Sequence, residues 1–239
     1  MEHIVAFAVL GIGAGLLTTV AGLGGGILML LAVSLATDPK VALVATAPAL
    51  LAGNLHRAFL FRGDVDRRVA RAFALGAFPG SVLGGALLSR MPGRLVGIVM
   101  AAMTAVALLR VCKVVTFTPR ARGITPVGFG IGALAGTSGG AGMLAGPFLM
   151  ALGLGGASYV ATAAVASVAM HLGRVLSYGL SGLLDASTVR LSLLLLGAVL
   201  VGNSAGKWAR RFIGPRLGTR IEVTTLVVAS ALGVFGLTR

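Results

Sequence analysis

The stretch GITPVGFGIGALAGTSGGAGMLAGPFLMALGLGGASYVATAAVASVAMHLG, residues 123–173, runs through 51 positions without an Asp, Glu, Lys or Arg. A membrane helix needs about 20 consecutive apolar residues, so this one run can enter a bilayer twice. Working outward, residues 4–37 are equally free of charge, and shorter charge-free runs occupy 41–56, 72–89, 95–109, 191–206 and 223–238. The whole chain of 239 residues is 57% hydrophobic and only 11% charged. A soluble domain carries about 25% charged residues and has too little core volume to hide such an apolar excess. Disorder, collagen-like repeats and disulfide scaffolds are excluded by the same composition.

Twenty basic residues face six acidic ones, a net charge of +14. In a soluble chain that excess points to nucleic acid; in this one it reads as Lys and Arg holding short loops on the cytoplasmic side, and no nucleic-acid partner is expected. Cys112 is the only cysteine, so no intrachain disulfide forms. The start, Met1-Glu2-His3, lacks a basic signal-peptide n-region, and the first apolar segment is expected to stay as a membrane segment.

Turn and charge signals divide the chain into eight hydrophobic units, at about 3–36, 40–61, 67–90, 93–115, 123–153, 156–182, 186–212 and 219–238. Asp38-Pro39 places a proline in the first turn of unit two, and Asp66 and Asp185 precede their units as N-caps. The units repeat. Gly24-Gly25-Gly26 answers Gly139-Gly140-Ala141, and His56 answers His171, at an offset of 115. Gly63 and Asp66 answer Gly182 and Asp185 at 119; Gly76-Ala77, Gly85 and Arg90 answer Gly197-Ala198, Gly206 and Arg211 at 121. An offset that drifts in one direction is what small loop insertions produce. The reading is an all-α polytopic membrane protein, 1–239 as one transmembrane domain, built from homologous repeats 1–115 and 116–239. Duplicated halves are the usual build of secondary transporters.

Units one and five are long and carry glycine clusters, which disfavour a straight helix, so each reads as two helices joined by a break. If units one and five re-enter and return to the side they came from, 14 of the 20 basic residues fall on the side of Arg57–Arg71, Arg110–Arg122 and Lys207–Arg220, and the repeats are inverted. If every unit crosses once, the division is 12 to 8, hardly a bias.

Irregular backbone at membrane depth persists only where it is buried in protein or lines a cavity, and a helix N-terminus there offers N–H groups to an anion. Gly24, Gly25, Gly26, Gly139 and Gly140, with the hydroxyls of Thr137 and Ser138, are therefore candidate substrate contacts; close helix packing is the competing reading. That packing reading is preferred for Gly11/Gly15, Gly76/Gly80/Gly84 and Gly128/Gly132/Gly136. In unit six, Ser167, His171 and Arg174 share a helix face with Thr162 nearby; in unit two, Thr46, Asn54, His56 and Arg57 hold comparable places. Arginine stays charged and offers two parallel donors to an oxyanion; the alternative is snorkelling to lipid phosphate. Asn203 and Lys207 share a face of unit seven as further candidates. The six acids, Glu2, Asp38, Asp64, Asp66, Asp185 and Glu222, lie at termini or near expected helix ends, none at mid-membrane; no metal-ligand spacing occurs, and no Walker, dinucleotide-binding or nucleophile motif is present. No cofactor is expected, nor an enzyme.

The run Gly22-Leu23-Gly24-Gly25-Gly26-Ile27-Leu28, then Ala45-Thr46, Arg62-Gly63-Asp64-Val65-Asp66 and Gly76-Ala77 with Gly80 and Gly84-Gly85, resembles the TauE/SafE family. The second half matches through Gly139-Gly140-Ala141-Gly142, Pro147, Ala161-Thr162, Gly182-Leu183-Leu184-Asp185 and Gly197-Ala198 with Gly206. Ala32 stands where the first half would carry the counterpart of Pro147, and Ala141 replaces a third glycine. The resemblance implies a transporter that exports sulfite, an organosulfonate or another small organic anion from the cytoplasm across the plasma (cell inner) membrane. An anion channel using the same residues is the alternative, and a membrane enzyme or assembly factor a more distant one. The expected partners are the small anion (sulfite, sulfonate or carboxylate) and the lipid bilayer, with a homo-oligomer as a further option.

Overall fold

A computed structural model describes residues 2–21, 24–111, 123–139, 142–214 and short stretches between 217 and 232. The described residues form α1 (Glu2–Ala21), α2 (Gly25–Ala36), α3 (Pro39–Leu60), α4 (Arg67–Arg90), α5 (Gly93–Val111), α6 (Ile124–Ser138), α7 (Gly142–Ala151), α8 (Gly156–Leu180) and α9 (Ala186–Ala209), with one 3-10 turn at Arg62–Asp64. Four segments, Ile4–Ala21, Arg67–Arg90, Gly156–Leu180 and Ala186–Ala209, are long and apolar enough to cross a membrane. Their outward faces carry exposed Leu75, Leu83, Leu87, Leu193 and Val201. In water that arrangement would be costly; in hydrocarbon it is the preferred one.

The helix starts follow local chemistry. Asp38 accepts from the Lys40 N–H, with Pro39 in the first turn of α3. Asp66 accepts from the N–H groups of Arg68 and Val69. Asp185 and Thr188 form a capping box at α9. The first and fifth hydrophobic units are each split, into α1 with α2 and α6 with α7, at the glycine clusters. Gly24 has φ 102° ahead of α2 and Gly139 has φ 67° after α6, a backbone region that residues with a Cβ rarely enter.

Glycine stripes set the packing. Gly76, Gly80 and Gly84 of α4 lie against the backbone of Thr125, Phe129 and Ala133, and Gly128, Gly132 and Gly136 of α6 lie against Phe73, Ala77 and Ser81. Residue numbers rise together on both helices, so α4 and α6 are parallel. Gly11 and Gly15 meet Ala198 and Val199, and Gly202 and Gly206 meet Ile12 and Leu16, so α1 and α9 are parallel as well. The Ser192 hydroxyl donates to Ala45 O and Asn203 to Gly53 O, which lays α3 along α9 in the same direction. Gly173 of α8 packs on Phe78 and Ser81, and Thr162 accepts the Asp66 N–H, which lays α8 along α4. Two sheaves result, α1/α3/α9 and α4/α6/α8. They run in opposite senses, because Arg174 of α8 reaches Leu43 near the start of α3.

Short helices double back beside each sheaf. Gly26 of α2 packs on Leu50, and Leu30 lies with Leu43 against Gly139, so α2 descends along α3 to the end from which α1 began. Phe148, late in α7, stacks near Phe73 in the first half of α4, so α7 climbs back to the end where α6 began. In both split units the second helix thus returns toward the end where the first began.

Candidate functional site

Each sheaf buries one arginine. Arg57 is 1% exposed and Arg174 is fully buried, and they are among the largest enclosed side chains of the protein. Both sit toward the C-terminal end of their helix, Arg57 in α3 and Arg174 in α8. Long helical side chains lean back toward the N-terminus. Because α3 and α8 are antiparallel, the two arginines sit toward opposite ends of the pair. His171 lies within electrostatic reach of both.

The first cluster gathers where α1, α3 and α9 meet. Arg57 Nη1 donates to Thr18 O at 2.9 Å and Nη2 to Asn54 Oδ1 at 2.6 Å. Thr18 is in the last turn of α1, whose carbonyls have no helical partner and form the negative end of the helix dipole. Arg210 serves the same end, donating to Thr19 O at 3.3 Å. Asn203 receives the Thr19 hydroxyl at 2.9 Å and donates to Gly53 O at 2.7 Å, tying the three helices together. A small cavity between Thr18, Asn54, Arg57 and Asn203 holds about 10 Å³ of space for water centres, roughly what one water needs.

The second cluster lies at the end of α6. Arg174 Nε donates to Tyr178 Oη at 3.2 Å, Nη1 lies 3.1 Å from His171 Nδ1, and Nη2 donates to Leu43 O at 2.9 Å. Arginine has no acceptor, so the contact with His171 is a hydrogen bond only when that imidazole is neutral, with its proton on Nε2. Tyr178 Oη donates to Gly136 O at 2.7 Å, a last-turn carbonyl of α6. A Cβ added to Gly139 would stand 3.4 Å from Arg174 Nη2, so the left-handed turn lies directly on the guanidinium. Every described partner of Arg174 is neutral. The acids with described side chains, Asp38, Asp64, Asp66 and Asp185, are exposed or half-buried at helix starts or in the Arg62–Asp64 turn.

The other candidates lie outside these direct arginine contacts. Gly25 and Gly26 are packing positions: a Cβ at Gly25 would strike Ala14 O and Thr18 Oγ1, and one at Gly26 would meet Leu50 at 3.2 Å. Thr46, Thr137 and Ser138 turn their hydroxyls onto carbonyls of their own helices, and Thr162 holds the turn before α4. Ser167 is buried on the His171 face of α8. His56 is half-buried, with Nδ1 shielded and without a hydrogen-bond partner among the described residues. Lys207 is exposed in the last turn of α9. Gly140 lies outside the described residues. The sequence reading missed Tyr178, Tyr159 and Arg210. Both tyrosines of the chain lie on α8, Tyr178 against Arg174 and Tyr159 within electrostatic reach of Arg57. The four-residue step from Arg174 to Tyr178 was the available signal.

A family model described as Sulfite exporter TauE/SafE matches residues 7–234, nearly the whole chain. No curated protein and no solved structure matches it.

Proposed function

The chain belongs to the sulfite exporter TauE/SafE family, a family of membrane transporters, and we propose that it carries a small oxyanion, sulfite or an organosulfonate, between the two arginine clusters. The observation that carries this reading is Arg174. It is fully buried, and each of its described hydrogen-bond partners is neutral. A charge taken out of water costs several kcal/mol unless it is compensated, and ionisable groups kept at membrane depth mark ion pathways. A bound oxyanion supplies the missing negative charge and accepts two parallel guanidinium donors.

Passage then runs from one arginine to the other past His171, whose neutral ring offers a donor on the way. The opposed directions of α1/α3/α9 and α4/α6/α8, and the matched re-entrant pairs α1–α2 and α6–α7, support two inverted repeats rocking about this line. The basic end, with Arg57–Arg71 and Lys207–Arg211, would face the cytoplasm of a cell whose plasma membrane holds the protein, and transport would run outward from there. The test is sulfite flux in proteoliposomes, with sulfate, taurine, sulfoacetate and acetate as competitors. Flux should saturate, show counterflow and disappear in Arg57→Ala and Arg174→Ala while both variants still insert. Wild-type flux in both would remove the site; unsaturable flux without counterflow would replace the transporter by a channel.

A further inference from the structure

On the outer face of the α4/α8 pair lies an open groove of about 540 Å³, within the range of ligand-sized clefts. Ala74, Leu75 and Phe78 of α4 and Val165, Val168 and Leu172 of α8 form its apolar wall, and Arg71 stands at one end. We propose that this groove is a binding site for one anionic phospholipid, with an acyl chain along the wall and the headgroup phosphate on Arg71.

Position and charge select that occupant. Arg71 lies four residues into α4, about 6 Å below its start, at the depth where a snorkelling guanidinium meets lipid phosphate. Arg67 and Arg68 precede it by four and three residues and share its side of the helix. All three are exposed, and none has an ion-pair partner among the described residues. Cations at a helix N-terminus oppose the macrodipole, so they do not serve the helix itself. A basic pocket between membrane helices beside an apolar groove is the arrangement that takes an anionic headgroup. A second copy of the chain fits less well: a two-fold axis along the membrane normal would bring both Arg67/Arg68/Arg71 clusters to one depth and set like charges together.

The test places a fluorophore in the groove. Trp208 is the only tryptophan, so the background is Trp208→Phe with Leu75→Trp; Leu75 is 71% exposed and tolerates the exchange. Purified protein is titrated in mixed micelles with phosphatidylglycerol or phosphatidylcholine brominated on the acyl chains. Brominated phosphatidylglycerol should quench at about fivefold lower mole fraction, the factor one arginine contributes near a membrane surface. Adding Arg71→Gln should erase the preference, and soluble glycerol 3-phosphate should not compete. Equal quenching by both lipids with Arg71 present, or a preference that survives Arg71→Gln, overturns the proposal. So does competition by glycerol 3-phosphate, which would indicate a free phosphate site. Quenching that falls as the protein dimerises would show that a second copy covers the groove.

Discussion

Arg174→Met separates a cation held for structure from one held for a ligand. Methionine nearly matches the aliphatic stem and removes the charge. Tyr178 keeps its bond to Gly136 O, and Leu43 O keeps its helical environment, so the acceptor chiefly left bare is His171 Nδ1. An orphaned buried acceptor costs about 1–3 kcal/mol. Against that, the variant no longer buries a guanidinium among neutral partners; a charge at the centre of a membrane helix costs about 2.5–3.5 kcal/mol on insertion scales. The two effects roughly cancel, and the ligand-free variant should unfold within a few degrees of wild type. Sulfite at a hundred times its dissociation constant should stabilise wild type by about 2.7 kcal/mol, a shift of roughly 5–10 °C for a chain of this size, and should leave the variant unmoved. The assay is thermal unfolding in detergent with and without sulfite, run beside proteoliposome flux. A variant that loses 3–5 kcal/mol, as when a buried ion pair is broken, yet still responds to sulfite would refute the reasoning. Arg174 would then be a structural cation.

Two further outcomes follow from the packing and the caps. Gly80→Val drives a side chain into the Phe129 backbone of α6 and should cost about 3 kcal/mol or more, whereas Gly130→Ala, with open space at its Cβ, should be neutral or gain up to about 1 kcal/mol; folded yield and denaturant midpoints of the pair check both. The Asp185 carboxyl is held down at about 2, mainly by the Thr188 N–H and hydroxyl and then by Ser187; because the folded value is depressed, its contribution is complete above about pH 4 and is lost as pH falls toward 2. Amide exchange at the start of α9, corrected for intrinsic rates, should therefore accelerate across that window in wild type and stay flat in Asp185→Asn.

Much of the architecture is legible one residue at a time, because its causes are local or depend on the solvent. Runs without charge need hydrocarbon around them, Asp66 and Asp185 cap the helices that follow, and glycine clusters break helices at Gly24 and Gly139. The four-residue glycine spacings mark close helix contact without naming the partner. That α4 pairs with α6 and α1 with α9, across the midpoint of the chain, depends on which stripes fit together, and no single stripe encodes it.

The site divides in the same way. Arg57, Arg174, His171 and Asn54 stand out in the sequence because polar groups are costly at membrane depth, whatever surrounds them. Their surroundings come from contacts between distant segments, such as Arg174 to Leu43 O and Arg57 to Thr18 O. Thr137, Ser138 and Thr46 show the converse: their hydroxyls bond their own helices once the chain is folded, a choice settled by rotamer and neighbours. Charge-free runs, aspartate caps and glycine clusters are enough to place the chain in a membrane, to mark where its helices start and break, and to show which charges are costly. Which helices run together and what each arginine meets come from the folded structure, because they depend on shape complementarity between segments that lie from 53 to 184 residues apart, as Ala72 from Thr125 and Thr19 from Asn203.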